Sequence, residues 1–118
     1  MSAKTIAIPS ILKIGAGVLD GIGEFIKTSN IDNIVIYFGN GLIDMFGEKV
    51  MNSLKNAGVN VFEYCEIDTV EMEDLIDLAF GLAPKVQGIV GIGGGKVIDA
   101  AKYAAYLRKL PFISVPTS

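Results

Sequence analysis

The apolar positions of this chain change period several times, and each change marks an element. Ile34-Val35-Ile36-Tyr37-Phe38 is a continuous apolar run ended by Gly39-Asn40-Gly41, the pattern of a strand buried on both faces. From Leu42 to Ala57 the spacing turns helical, with Ile43, Phe46, Val50, Leu54 and Ala57 on one stripe. Gly58 follows where a C-terminal cap belongs. Val59 to Tyr64 alternates Val59, Val61 and Tyr64 with polar neighbours and predicts a shorter strand. The next helix is expected to be capped by Asp68 or Thr69, with Met72, Leu75, Ile76, Ala79 and Leu82 inward. Its acidic residues Glu71, Glu73, Asp74 and Asp77 cluster in the first turns, where the positive end of the helix dipole favours them. Gln87 to Ile92 reads as another buried strand. Lys96 to Lys109 reads as a helix whose Ala100, Ala101, Ala104 and Ala105 allow close approach to a sheet. Arg108 and Lys109 place cations at its negative end, Pro111 stops it, and Phe112-Ile113-Ser114-Val115 is a last strand.

Two segments precede these. Thr5 to Ile8 and Ile11 to Ile14, around Pro9-Ser10, predict a short N-terminal β-hairpin. Val18 to Thr28 predicts a helix with Leu19, Ile22, Phe25 and Ile26 on one face. The alternation of strands and helices implies an α/β fold: a Rossmann-like, mostly parallel sheet with helices on both faces. The 118 residues make one domain, long enough to bury its own core.

Composition narrows the partners. The net charge of −3 without a basic cluster argues against nucleic acid. No apolar run reaches the length needed to span a bilayer, and Met1-Ser2-Ala3-Lys4-Thr5 lacks the core of a secretory signal. One cysteine, Cys65, excludes an internal disulfide and fits a reducing cytoplasm. Flanked by Glu63 and Glu66, with no histidine in the chain to activate it, Cys65 reads as a structural thiol.

Ligands of an open parallel sheet bind beyond the carboxyl ends of its strands. Three such ends here carry small or polar residues: Gly39-Asn40-Gly41, Gly91 to Lys96, and Pro116-Thr117-Ser118. The second is the most informative. Gly91, Gly93, Gly94 and Gly95 let backbone approach a ligand closely, the helix that follows points its first N–H groups at the same space, and Lys96 adds a positive charge. That combination suits a pyrophosphate. The alternative is a tight turn that serves only helix–sheet packing. The spacing matches neither common phosphate motif. The hydrolase loop would need glycine at Val90 and a hydroxyl at Val97, and the G-x-G-x-x-G fingerprint begun at Gly91 would need glycine at Lys96.

The stretch Gly93-Gly94-Gly95-Lys96-Val97-Ile98-Asp99-Ala100-Ala101-Lys102, followed by Pro111-Phe112-Ile113-Ser114-Val115-Pro116-Thr117-Ser118, resembles the N-terminal domain of the iron-containing alcohol dehydrogenase superfamily. That group includes glycerol dehydrogenase and dehydroquinate synthase, and the two motifs are most similar to its glycerol-1-phosphate dehydrogenase branch. The resemblance implies an NAD- or NADP-binding domain over residues 1–118. Gly93, Gly94, Gly95 and Lys96 would wrap the pyrophosphate, with Val97 beside them. Asp99 would orient the loop or meet the nicotinamide side, its alternative role being to bond the helix N-terminus. Thr117 and Ser118 would touch the cofactor, and Gly39 and Asn40 would lie at the adenine ribose. Many relatives carry an aspartate near position 39 that repels the 2′-phosphate of NADP, so glycine there implies that NADP is tolerated.

The same resemblance implies hydride transfer between the cofactor and a small polyol or polyol phosphate, glycerol-1-phosphate/dihydroxyacetone phosphate first among them. A divalent metal (Zn, Ni or Fe) would be held by an aspartate and two histidines of a helical domain absent from these residues. No catalytic and no metal-ligating residue is therefore expected in this chain, which alone should be inactive. The intact protein is expected to be a cytoplasmic homo-oligomer. The alternatives are a glycerol dehydrogenase domain, a dehydroquinate synthase domain, or a non-catalytic nucleotide-binding module. A receiver-like module would need an aspartate cluster at the strand ends, and Ile34 to Asn40 ends without one.

Overall fold

Among the described residues, four parallel strands in the order β2-β1-β3-β4 form a sheet: β1 (Asn33–Phe38), β2 (Asn60–Glu66), β3 (Gly88–Gly93) and β4 (Phe112–Pro116). The computed structural model describes residues 16–68 and 71–117, with side chains from residue 19 onward. The expected N-terminal hairpin lies outside the described residues. The chain enters through a 3₁₀ turn (Ala16–Gly21) that leads into α1 (Ile22–Thr28), so only part of the expected first helix is α-helical. Helices α2 (Leu42–Ala57), α3 (Met72–Phe80) and α4 (Gly95–Arg108) connect the strands.

The two faces of the sheet are packed differently. On one face, Ile34, Ile36, Phe38, Val90, Ile92, Ile113 and Val115 meet Leu19, Ile22, Ile26, Val50 and Leu54 of the first turn, α1 and α2. On the other, Val35, Tyr37, Ile89 and Phe112 meet Leu75 and Ala79 of α3 and the alanine stripe Ala100, Ala101, Ala104 and Ala105 of α4. The alanines let α4 settle close to the strands. A Cβ placed on Gly91 would stand 2.8 Å from the Ala101 Cβ, so position 91 has no room for a side chain while Ala101 stands opposite.

Several expectations change in detail. Tyr64 is exposed instead of inward, because β2 lies at the edge of the sheet among the described residues and a bulge opposite Ile34 and Val35 shifts its register. Met72 and Ile76 are also exposed. Helix α3 packs on α4 through a narrow stripe in which Leu75 and Ala79 are buried, too narrow to cover the whole apolar set. Glu71, not Asp68, occupies the N-cap of α3, and Thr69 lies outside the described residues.

The helix ends are closed by two similar devices. Gly58 takes a left-handed conformation after α2, and the Val59 amide donates to the Leu54 carbonyl at 2.9 Å. Lys109 does the same after α4, with φ 57°, and the Leu110 amide donates to the Ala105 carbonyl at 2.9 Å. Lys109 thus caps α4 through its backbone rather than extending the helix. Arg108 serves a different helix from the one it belongs to. Its Nη1 donates to the carbonyls of Ala79 (2.6 Å) and Leu82 (3.2 Å), satisfying acceptors at the C-terminal end of α3.

Candidate functional site

Beyond the carboxyl ends of β1, β2 and β3 lies a cleft of about 480 Å³, lined by Gly39, Asn40, Ile67, Asp68, Gly94, Gly95, Lys96 and Val97. Its position is where the crossovers of a parallel sheet diverge and leave space above the strands.

Two strand-to-helix turns meet at its floor. The Gly39 amide donates to the Ile92 carbonyl at 2.8 Å, and the Thr117 amide donates to the Gly93 carbonyl at 3.1 Å. These bonds carry the sheet pairing past the strand ends and hold Gly93 against its neighbours. Gly93 has φ +145°, and a Cβ there would come within 2.6 Å of Val97 Cγ1 and 3.2 Å of the Gly39 backbone. Glycine is required at this position for both conformation and space. Val97 is buried, so its side chain anchors the helix while its backbone N–H belongs to the first turn.

The next residues face the other way. Gly95 and Lys96 are exposed, and a Cβ on Gly95 would meet nothing within 4 Å. Gly94 is the N-cap of α4, and no side chain caps that end; the first intrahelical bond runs from the Ile98 amide to the Gly94 carbonyl at 3.1 Å. The N–H groups of the first turn have no carbonyl of their own helix to bond. They carry the positive end of the dipole of a 14-residue helix, and Lys96 stands on the same turn. A helix terminus of this kind favours an anion over a cation.

The sequence-derived candidates separate into groups. Gly94, Gly95, Lys96, Val97, Gly39 and Asn40 line one cleft, and Gly93 forms its floor. Thr117 joins that floor through its backbone, and Ser118 lies outside the described residues. Asp99 is exposed on α4 and is not among the cleft-lining residues. Ile67 and Asp68 do line it, and sequence reasoning had assigned them no such role. The Ile67 amide donates to the Phe38 carbonyl at 2.8 Å, so the register of β2 on β1 carries Asp68 into the cleft. Gly39 is buried, and its missing Cβ would face Leu42 Cδ1, Gly93 Cα and Val97 Cγ1 at 3.4–3.6 Å, under the turn.

Cys65 is half-buried, and burial followed by the Glu63 carboxylate pushes its thiol above the usual range, as expected of a structural cysteine. Tyr37 is fully buried, and its hydroxyl has no hydrogen-bond partner among the described residues. Burial, then Cys65 and Glu63, hold it far above the ordinary phenol range, with Arg108 opposing. Among the described residues no group of three or more His, Cys, Asp or Glu side chains could hold a metal ion. No helix among them is long and apolar enough to cross a membrane.

Comparison with known proteins defines the class. The family model for iron-containing alcohol dehydrogenases matches residues 13–118, and the chain belongs to that family. Glycerol-1-phosphate dehydrogenase [NAD(P)+] of Methanosarcina barkeri is 33% identical over 99% of this chain and 33% of the relative. The Thermoplasma acidophilum protein of the same name is 35% identical over 98% of this chain and 33% of its own length. The chain thus spans about a third of the curated relatives it matches. Among solved structures, glycerol dehydrogenase from Schizosaccharomyces pombe superposes with a TM-score of 0.78 at 24% identity, over 97% of this chain and 29% of that one. That likeness concerns the fold. NADH-dependent butanol dehydrogenase A from Thermotoga maritima gives 0.60 at 30% identity, over 89% of this chain and 27% of that one. Proteins of this family use NAD(P) and a divalent metal.

Proposed function

We propose that this chain is the NAD(P)-binding part of a dehydrogenase that moves a hydride between the nicotinamide and a small polyol or polyol phosphate, glycerol-1-phosphate/dihydroxyacetone phosphate being the pair favoured. The observation that carries the reading is the N-terminus of α4. It has no side-chain cap, is fronted by Gly94 and Gly95, bears Lys96, and opens on a cleft above the sheet. The curated relatives, named glycerol-1-phosphate dehydrogenases that use NAD(P)+, support the choice of substrate.

In this reading the backbone N–H groups of residues 95–97 and the Lys96 ammonium bind the pyrophosphate, as charge-assisted hydrogen bonds at a helix end. Gly93 and Gly39, locked together beneath, fix the height of that cradle. Thr117 ties the third strand end to the same floor. When bound, the nicotinamide supplies the hydride acceptor that no side chain offers. The described residues do not fit a metal centre, so the metal and the contacts to the polyol are assigned to the part of the relatives that this chain does not match. Assembly as a homo-oligomer in the cytoplasm completes the reading.

The test uses the full-length protein reconstituted with zinc, nickel or iron. Reduction of dihydroxyacetone phosphate by a reduced nicotinamide cofactor, with glycerol and dehydroquinate synthase substrates inert, is the expected result. Turnover of glycerol alone would move the assignment to glycerol dehydrogenase. Failure to bind any nicotinamide dinucleotide would remove it.

A further inference from the structure

Asn40 is the one asparagine of this sequence that glycine follows; Asn30, Asn33, Asn52, Asn56 and Asn60 all precede residues with a side chain. Both Asn40 and Gly41 are exposed, and Asn40 lines the same cleft as Lys96. The pair forms the tip of a β-turn in which the Leu42 amide donates to the Gly39 carbonyl at 3.0 Å. Gly41 has φ 80° and ψ −6°, the values of the third residue of a type II turn. The next amide, of Ile43, donates to Glu66 Oε2 at 3.4 Å. The Gly41 amide differs from these two. It donates no hydrogen bond among the described residues, and the Asn40 side chain makes none there either. A Cβ on Gly41 would meet nothing within 4 Å, so the peptide joining the pair has room to rotate.

We propose that Asn40-Gly41 is a site of spontaneous deamidation, that the isoaspartate formed there closes the cleft to dinucleotides, and that a bound dinucleotide protects the pair. The inference rests on the dinucleotide reading above and adds a covalent modification to that site. The Gly41 backbone nitrogen, having given up its proton, attacks Cγ of Asn40. The N–Cγ bond forms, the Cγ–Nδ2 bond breaks, and the side-chain nitrogen leaves with that proton as ammonia. A succinimide ring remains, and water opens it. Water at the main-chain carbonyl carbon of Asn40 gives isoaspartate, and water at Cγ gives aspartate; nothing is oxidised or reduced. Glycine at position 41 permits the attack, because a Cβ there would crowd the approach and stiffen the peptide that has to rotate. Isoaspartate then harms the cleft in two ways. It routes the main chain through Cγ, adding an atom to the turn whose Gly39 amide is seated on the Ile92 carbonyl at 2.8 Å. It also places a carboxylate in the cleft that holds Lys96 and the α4 N-terminus, where a tethered anion competes with phosphate.

The experiment incubates the full-length protein in mildly alkaline buffer, with and without saturating NADH. Isoaspartate is read by isoaspartyl methyltransferase labelling and peptide mapping, and the fraction of chains that bind NADH by nicotinamide fluorescence. Without cofactor, residue 40 should convert about tenfold faster than any other asparagine, as its glycine neighbour dictates. The binding fraction should fall in step, and NADH should slow the conversion several-fold. Asn40→Gln closes the ring far more slowly and should hold its own starting binding fraction over the same period, which separates the modification from general ageing. Conversion at residue 40 no faster than at the other asparagines overturns the site. Converted chains that bind NADH as tightly as fresh ones overturn the effect on the cleft, and a rate unchanged by bound NADH overturns the protection. A protein that binds no nicotinamide dinucleotide overturns the reading of the cleft, while conversion at residue 40 is still scored on its own.

Discussion

Two turns stand side by side on the carboxyl edge of this sheet, and they do opposite things. Both run from a buried strand through glycines into a helix: Phe38-Gly39-Asn40-Gly41-Leu42 after β1, and Ile92-Gly93-Gly94-Gly95-Lys96 after β3. The first is closed, because its helix start receives the Glu66 carboxylate and the Gly39 carbonyl. The second is open, with no side-chain cap, an exposed glycine and a lysine. A glycine-rich strand end is therefore not in itself a phosphate site. In the function proposed above, what distinguishes the second turn is a helix terminus without a side-chain cap, held in place by a packed glycine.

The largest effect should come from the packed glycine. Gly93→Ala forces a Cβ to within 2.6 Å of Val97 Cγ1 at a φ of +145°. We expect a loss of about 2–4 kcal/mol in chemical denaturation, together with loss of cofactor binding. Gly95→Ala has open space and a helical backbone, so its stability should stay within about 0.5 kcal/mol of wild type while cofactor affinity falls. Equal destabilisation by the two would erase the distinction between packed and exposed glycines.

Lys96→Ala tests the open turn directly. One charge-assisted hydrogen bond is worth about 1.5–3 kcal/mol, so NADH affinity should fall by about ten- to a hundredfold, with the melting temperature unchanged.

Below the closed turn, Tyr37 tests how dry the interior is. Its folded-state pKa is raised by burial, so folding retains a proton that the unfolded chain loses near pH 10. Stability should be flat with respect to this group below about pH 10 and fall above it, by up to about 1.4 kcal/mol per pH unit. Tyr37→Phe should remove that alkaline slope without loss at neutral pH, since the hydroxyl has no partner to lose. Urea titrations between pH 8 and 11 would show an unchanged slope if the hydroxyl were reached by water.

The smallest effect belongs to Glu66→Gln, which removes a charge from the start of α2. A drop of about 0.3–1 kcal/mol is expected, screened by salt. No change at low ionic strength would mean that the first turn is not closed by this carboxylate.

How much of this was legible in the sequence differs between the turns. Helix α2 runs from Leu42 to Ala57, as its apolar stripe and Gly58 imply, because periodicity and a cap are local signals. The glycine turn and helix start at residues 93–96 were legible for the same reason. Asp68 was read as a helix cap, since nothing in the neighbouring residues shows that the β2–β1 register delivers it to a cleft. Arg108 was matched to its own helix terminus, whereas a long side chain can serve the end of another. Met72 and Ile76 misled because spacing reveals an apolar stripe but not how wide a partner it finds.

The contact between Gly91 and Ala101 also has an evolutionary consequence. Glycine is the smallest residue, so position 91 cannot shrink to compensate for growth at position 101, and change across this pair can run in one direction only. Ala101→Gly opens the 2.8 Å approach and makes alanine acceptable at 91, whereas Gly91→Ala arriving first meets the full clash. Lineages that carry a side chain at position 91 should therefore have lost the one at 101 beforehand, and the two substitutions should never be found in the reverse order.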